Sequence, residues 1–187
     1  MCEEDDDAQK LLAGLLHGPG GAPWMNAFTD RPASADDAPW IVALHAAPHA
    51  LPFLQQPAED AVRASLDRPG VTERIVVDDA GERIALWRAS VEEDWVAELR
   101  TLAVARPGGG AGTWALRRAL AWAFEEQKVH RMFLYVTAAN ARARALYERH
   151  GLQLEGTERE GFRAAGGTFE DLCHYGILDR EYAARRP

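Results

Sequence analysis

The stretch VARPGGGAGT, residues 104–113, joins a strand-like apolar segment to a long amphipathic segment. Its run of glycines and small residues predicts a tight bend between a strand and a helix. The first N–H groups of such a helix lack intrahelical partners and lie at the positive end of the helix dipole. They can bind an anion without a basic side chain, and phosphate is the anion that we expect here.

Two well-known phosphate-binding loops do not fit this stretch. A nucleoside-triphosphate loop needs Lys and Ser or Thr after its last glycine, but Gly112 is followed by Thr113 and Trp114. The dinucleotide fingerprint is approached only by Gly110-x-Gly112-x-x-Ala115, and the acidic ribose partner expected about twenty residues later is missing. Taken alone, the stretch leaves a flexible surface turn open as the alternative.

A second segment, NARARALYERHG at residues 140–151, follows the apolar run RMFLYV at residues 131–136. A strand, a helix with the pattern Asn-x-x-Ala-x-x-x-Tyr, a glycine stop and a new strand resemble the second half of the GNAT family. Members of this family are acetyl-CoA-dependent N-acetyltransferases. The end of the chain, residues 155–178, is similar to the RimL-like branch, which acetylates ribosomal-protein N-termini, polyamines and antibiotics.

Residues 104–113 resemble the pyrophosphate loop of the same family, whose pattern is Gln/Arg-x-x-Gly-x-Gly/Ala. Two registers fit this pattern. Arg106-x-x-Gly109-x-Ala111 keeps the basic residue, whereas Gly110-x-Gly112 fits the helix better and places Pro107 where Arg is usual.

The resemblance covers residues 28–178 and implies a mixed α/β fold. We expect a sheet of about six to seven strands flanked by about four helices, with two central parallel strands that splay apart. The acetyltransferase domain is predicted over residues 28–187. Residues 1–27 are predicted to be an extension with an acidic start and a short helix at 8–17, where leucines recur at helical spacing.

Periodicity and turn residues place the individual elements. One helix is predicted to follow Ser34 and Asp37, which imitate a capping box, with the apolar face Trp40, Ile41 and Leu44. Further helices are predicted at 59–66, at 113–128 and from Asn140 onward. Strands are predicted at 74–77, 83–89, 95–104, 132–136, 152–163 and 168–178.

The resemblance implies acetyl-CoA as co-substrate. The pyrophosphate would lie on the backbone amides of residues 108–113, and the pantetheine arm would pair with the exposed backbone of one splayed strand. The predicted cofactor-binding residues are Leu102, Ala103, Val104, Gly108, Gly109, Gly110, Ala111, Gly112, Thr113, Asn140, Ala143 and Tyr147. No metal is expected, because Pro48 interrupts the helix that would align His45 and His49.

Acetyl transfer needs a proton donor for the leaving thiolate and a route for the proton of the amine. Tyr147 lies where the family commonly places its acid, and a phenol of pKa ~10 suits this role. Glu98 is the predicted base, on the strand that receives the thioester. Strand alternation predicts that Glu98, Arg100 and Leu102 share one face, so a simple Glu98–Arg100 pair is the structural alternative.

Other groups stay open for the base and for substrate contact. These are Glu92, Glu93, His130 and His174. A further alternative is that the orientation of the amine and the thioester supplies most of the rate and no strong base is required.

The composition of the chain limits the classes of binding partner and the cellular settings that we expect. A net charge of −8 in 187 residues argues against nucleic acid, and no apolar run reaches the ~20 residues of a membrane span. The two cysteines, Cys2 and Cys173, form no disulfide framework, and the acidic start differs from a secretory signal, so we expect a cytoplasmic protein.

The expected acceptor is a primary amine on a small cationic molecule or a peptide N-terminus, with a homodimer as an open option. The acidic turn at 92–94 would attract a cation. A non-catalytic acyl-CoA-binding module is the alternative function, and a nucleotide-binding regulator is disfavoured by the missing Lys of the loop.

Overall fold

The computed structural model describes residues 28–185, and seven strands in this range form one sheet. The strands are β1 (Phe28–Pro32), β2 (Val71–Asp78), β3 (Arg83–Glu93), β4 (Val96–Val104), β5 (Arg131–Thr137), β6 (Gln153–Arg163) and β7 (Phe169–Leu178). The helices are α1 (Ala38–His45), α2 (Glu59–Leu66), α3 (Ala111–Ala121), α4 (Ala141–Arg149) and α5 (Asp179–Ala183). A 3₁₀ turn (Ala35–Asp37) precedes α1, and a π-helical turn (Trp122–Glu126) extends α3. The predicted extension and its helix lie outside the described residues.

The sheet has the order β1-β2-β3-β4-β5-β7-β6. Its strands pair antiparallel except at the centre, where β4 and β5 run parallel. Only three residue pairs join these two strands, and the last is Glu98 with Phe133. Beyond that pair the strands separate, so residues 99–104 have no ladder partner on the β5 side within the described range. The predicted mixed sheet with splayed central parallel strands is confirmed.

A bulge in β4 changes which side chains share a face. Leu99 and Thr101 each have a partner in β3, but Arg100 between them has none. One extra residue reverses the alternation beyond it, and Leu102 consequently packs in the same core cluster as Leu99. The prediction that Glu98, Arg100 and Leu102 share one face is therefore wrong for Leu102.

Two hydrophobic clusters hold helices on opposite faces of the sheet. The larger one packs α3 and the π-helical turn against β3, β5 and β7, around fully buried residues such as Trp87, Leu116 and Tyr175. The smaller one packs α1 and α2 against β2–β4 through Ile41, Val62 and their neighbours. Burial of these apolar side chains is the main favourable contribution to the fold, at about 25 cal/mol per Å² of apolar surface.

Candidate active site

The predicted phosphate-binding bend is the N-terminus of α3. Gly110 is the residue before the helix and has φ of +84°, a left-handed conformation that side chains with a Cβ rarely adopt. The first intrahelical bond runs from the Trp114 N–H to the Gly110 carbonyl at 3.0 Å. The amides of Ala111, Gly112 and Thr113 precede it and point out of the helix end, which is the arrangement that binds anions.

A first cleft of about 750 Å³ lies between this helix end, the C-terminal part of β4 and the start of α4. Each of the predicted cofactor-binding residues lines it: Leu102, Ala103, Val104, Gly108, Gly109, Gly110, Ala111, Gly112, Thr113, Asn140, Ala143 and Tyr147. Gly112 approaches the opposite walls closely, because a Cβ there would lie 3.4 Å from the Val104 side chain. The structure thus brings together segments that are about forty residues apart in sequence.

α4 positions Tyr147 at the wall of the first cleft. The Asn140 side chain caps this helix as predicted, accepting a hydrogen bond from the Ala143 N–H at 3.1 Å. Tyr147 is only 6% exposed, and burial raises the pKa of its phenol. Its hydroxyl has no hydrogen-bond partner in the part of the chain that the structure describes. Tyr147 therefore holds its proton at neutral pH and has that proton free to donate.

A second cleft, of about 790 Å³, lies on the side of the sheet that carries α1 and α2. Thr101 of β4 and residues 135–137 of β5 line it, so it reaches the gap between the splayed strands. Phe53 and Leu54, in the connection between α1 and α2, line both clefts. The two clefts therefore meet where β4 and β5 separate.

The second cleft contains charged groups in a wall of mixed polar and apolar residues. Glu73 of β2 has a side chain that is 5% exposed, with its Oε2 atom 3.8 Å from Nε of Arg88 and 3.3 Å from the Ser65 hydroxyl. Burial raises the pKa of Glu73, and Arg88 opposes that rise. The remaining charged or titratable residues of this lining are His45, Arg68, Arg100, Tyr135 and Glu158.

Comparison with known proteins identifies the fold. The sequence profile of the Acetyltransferase (GNAT) family matches residues 39–152, which include the α3 loop and the α4 motif. The chain belongs to the GNAT family. The prediction of an N-acetyltransferase is thereby confirmed at the level of the family.

Individual relatives of this GNAT chain differ in what they act on. A protein of Bacillus subtilis (strain 168), provisionally named ribosomal N-acetyltransferase YdaF, is 34% identical over 79 residues, 42% of this chain and 43% of YdaF. Spermidine N-acetyltransferase SpeG of Vibrio cholerae, solved with CoA and spermine, superposes with a TM-score of 0.76 at 22% identity, covering 84% of this chain and 99% of SpeG. A dodecameric SpeG structure superposes with a TM-score of 0.73 at 22% identity, covering 87% and 99%. The SpeG likeness shows the shared fold.

Glu98, the predicted base, lies outside the lining of both clefts of this GNAT domain. It sits at the last β4–β5 pair, with its Oε2 atom 3.1 Å from Nη2 of Arg100, and burial raises the pKa of its carboxyl. The Glu98–Arg100 pair named as the structural alternative is thus present.

The other sequence candidates for proton transfer or substrate contact also lie outside both linings. Glu92 accepts hydrogen bonds from Ser90 and from Arg100, and Glu93 accepts one from the Trp95 indole N–H. His130 lies 3.2 Å from Asp179, and His174 stacks on Tyr135. The acidic turn at 92–94 is consequently not part of either cleft wall.

Sequence reasoning missed the residues that form the second cleft, notably His45, Phe53, Glu73 and Arg88. They come from separate elements that meet only through the sheet. One local signal was available. Glu73 shortly precedes the apolar residues Ile75 and Val76 of a predicted strand, and a glutamate is almost never buried in a strand unless it has a partner.

Proposed function

We propose that this GNAT member transfers the acetyl group of acetyl-CoA to a primary amine by direct attack in a ternary complex. The observation that carries the proposal is the meeting of two clefts at the gap between β4 and β5. The amine nitrogen attacks the thioester carbonyl carbon, the C–S bond breaks, the thiolate gains a proton and the nitrogen loses one. Holding both reactants at one gap converts a bimolecular step into an effectively unimolecular one.

Acetyl-CoA occupies the first cleft in this proposal. The amides at the N-terminus of α3 hold the pyrophosphate, and the backbone edge of residues 102–104, which has no ladder partner in β5, pairs with the pantetheine arm. The Val104 carbonyl oxygen on this strand lies 2.8 Å from Nε2 of His49. The charge of the cleft supports an anionic ligand. Arg106, Arg142 and Arg149 line it, and none of them forms an ion pair within the described residues, although the whole chain carries a net charge of −8.

Tyr147 is the proposed acid that protonates the thiolate, supported by its place in the first cleft and by its unshared proton. Glu98 stays the sequence-based prediction for the base. Glu98 is in neither cleft lining and pairs with Arg100, which lines the second cleft, so a proton would reach Glu98 through water rather than directly.

The proposed acceptor is a small cationic amine or a peptide N-terminus, as in the RimL-like branch. SpeG acts on spermidine, and YdaF is named for ribosomal acetylation, so the relatives support both classes. A homodimer and a cytoplasmic setting are part of the same proposal. Among residues 28–185, no helix is long and apolar enough to cross a membrane.

The test is a panel of polyamines, aminoglycosides and short peptides, each incubated with acetyl-CoA while the free thiol of CoA is measured. Amine-dependent thiol release is expected, and the KM of a cationic acceptor should rise with salt. In parallel, CoA and acetyl-CoA should raise the melting temperature, whereas ATP should not. Stabilisation by CoA without thiol release on any amine would instead indicate an acyl-CoA-binding module, and stabilisation by ATP alone would refute the cofactor assignment.

A further inference from the structure

We propose that the imidazole of His45 accepts the proton that the acceptor amine loses as it attacks the thioester. This assignment rests on the proposed function and adds a catalytic residue to it. The amine–carbon bond forms, the C–S bond breaks, one proton passes from nitrogen to His45 Nε2, and the thiolate takes another from Tyr147.

The tautomer of His45 follows from one hydrogen bond. Its Nδ1 atom lies 2.8 Å from the backbone carbonyl oxygen of Gln55. A carbonyl oxygen can only accept, so Nδ1 must carry the hydrogen, and Nε2 of the neutral ring keeps its lone pair. Nε2 has no hydrogen-bond partner among residues 28–185. His45 therefore offers an unused proton acceptor within the second cleft, whose wall it forms.

His45 lines the same cleft as Thr101, at the gap between β4 and β5 where the reaction is proposed. His45 is the last residue of α1, and the Gln56 side chain donates to its carbonyl oxygen at 2.7 Å, which fixes the end of the helix. The charge of Arg88 is close enough to His45 to lower the pKa of the imidazole. Arg88 of β3 is also the register partner of Thr101 of β4. Thr101 follows the bulge at which β4 leaves β5. His45 is thus level with the opening between the two clefts.

The charge state of His45 suits a base. Burial, and to a smaller extent the charge of Arg88, lower the pKa of the imidazole, while the hydrogen bond to Gln55 opposes that change. The net direction is downward, so the ring is neutral at pH 7 and becomes a cation only at lower pH. The charged groups that line the same cleft are Arg68, Glu73, Arg88, Arg100 and Glu158.

Two substitutions separate His45 from Glu98, the sequence-based prediction. His45→Gln and Glu98→Gln are compared with His130→Gln, a surface histidine paired with Asp179 and outside both clefts. For the best amine of the panel, kcat is measured from about pH 5 to 9, together with the Kd of acetyl-CoA, which shows that each variant is folded.

We expect His45→Gln to lower kcat by about 10²-fold or more and to remove the fall in kcat at acidic pH. The Kd of acetyl-CoA should not change, and His130→Gln should behave as the parent. In His45→Ala, added imidazole should restore part of kcat, which a purely structural loss would not allow.

The outcomes are distinct. If the parent acetylates no amine, the proposed function fails and His45 has no such role. If the parent is active and His45→Gln keeps its kcat and its acidic limb, only the His45 assignment is overturned. Loss of the acidic limb in Glu98→Gln, with its retention in His45→Gln, would assign the base to Glu98.

Discussion

The two clefts of this domain are built from different kinds of chemical group. The first cleft relies on backbone: helix-end amides after Gly110, the unpaired edge of β4, and a helix capped by Asn140. The second relies on side chains from separate elements, such as His45, Glu73 and Arg88. In the proposed function, this difference means that acetyl-CoA is held largely by backbone groups of the fold, whereas the acceptor amine is recognised by side chains from separate elements.

The largest expected effect comes from Tyr147→Phe in the first cleft. The ring is 6% exposed and keeps its packing, so only the hydroxyl is removed. We expect kcat to fall by about 10²–10⁴-fold while the Kd of acetyl-CoA stays within about twofold. Steady-state kinetics and equilibrium binding of the two proteins measure this. An unchanged kcat would return Tyr147 to a packing role in the wall of the first cleft.

Gly110→Val comes next and tests the backbone character of the first cleft. A Cβ at φ of +84° strains the bend and disturbs the helix-end amides, so the Kd of acetyl-CoA should rise at least about tenfold, or 1.4 kcal/mol. Calorimetric titration with acetyl-CoA measures the change.

Gly81→Val is the matched control for Gly110→Val. Gly81 has φ of +78° in the β2–β3 turn, and no atom lies within 4 Å of its added Cβ. It should lose stability through the same strain but bind acetyl-CoA as the parent does. Equal loss of acetyl-CoA binding in both variants would show that strain alone, rather than the phosphate site, explains the effect at Gly110.

The contrast between local backbone features and side chains from separate elements also explains which parts of the structure the sequence could predict. The first cleft was predictable because its features are local: a glycine run at a helix start and an asparagine before a helix. Most strands and helices were predictable for the same reason, and α2 has the predicted bounds of Glu59–Leu66. Cys173 lies within the predicted strand 168–178, and the structure shows it buried, at 3% exposed.

Features that depend on the pairing of one strand with another were not predictable from the sequence. β1 (Phe28–Pro32) was not predicted, because a short edge strand with four polar or constrained residues takes its conformation from β2. The bulge at Arg100 lacks the glycine that often marks such a site, so the face of Leu102 was assigned wrongly. α3 begins at Ala111 rather than at Thr113, since Gly110 supplies the positive φ that ends the loop.

The smallest expected effect concerns the loss of folding stability caused by the buried carboxylate of Glu73 in the second cleft. Burial raises the pKa of Glu73 above its unfolded value, so the carboxylate is less stable in the folded protein than in water. A raised pKa favours folding at pH below the unfolded value, and this contribution is lost as pH rises through the folded value. Glu73→Gln should therefore raise the melting temperature at pH 7 by about 2–4 °C, for a gain of about 1 kcal/mol, and this gain should disappear near pH 4.

Glu158→Gln is the control for Glu73→Gln, because Glu158 lines the same cleft but is exposed. Its melting temperature should match the parent at both pH values. A lower melting temperature for Glu73→Gln at pH 7 would mean that the Arg88 contact at 3.8 Å outweighs the burial of the carboxylate. In that case the charged groups of the second cleft would stabilise the folded protein. The two clefts would then differ in the type of chemical group that lines them, but the charged groups would not lower the stability of the fold.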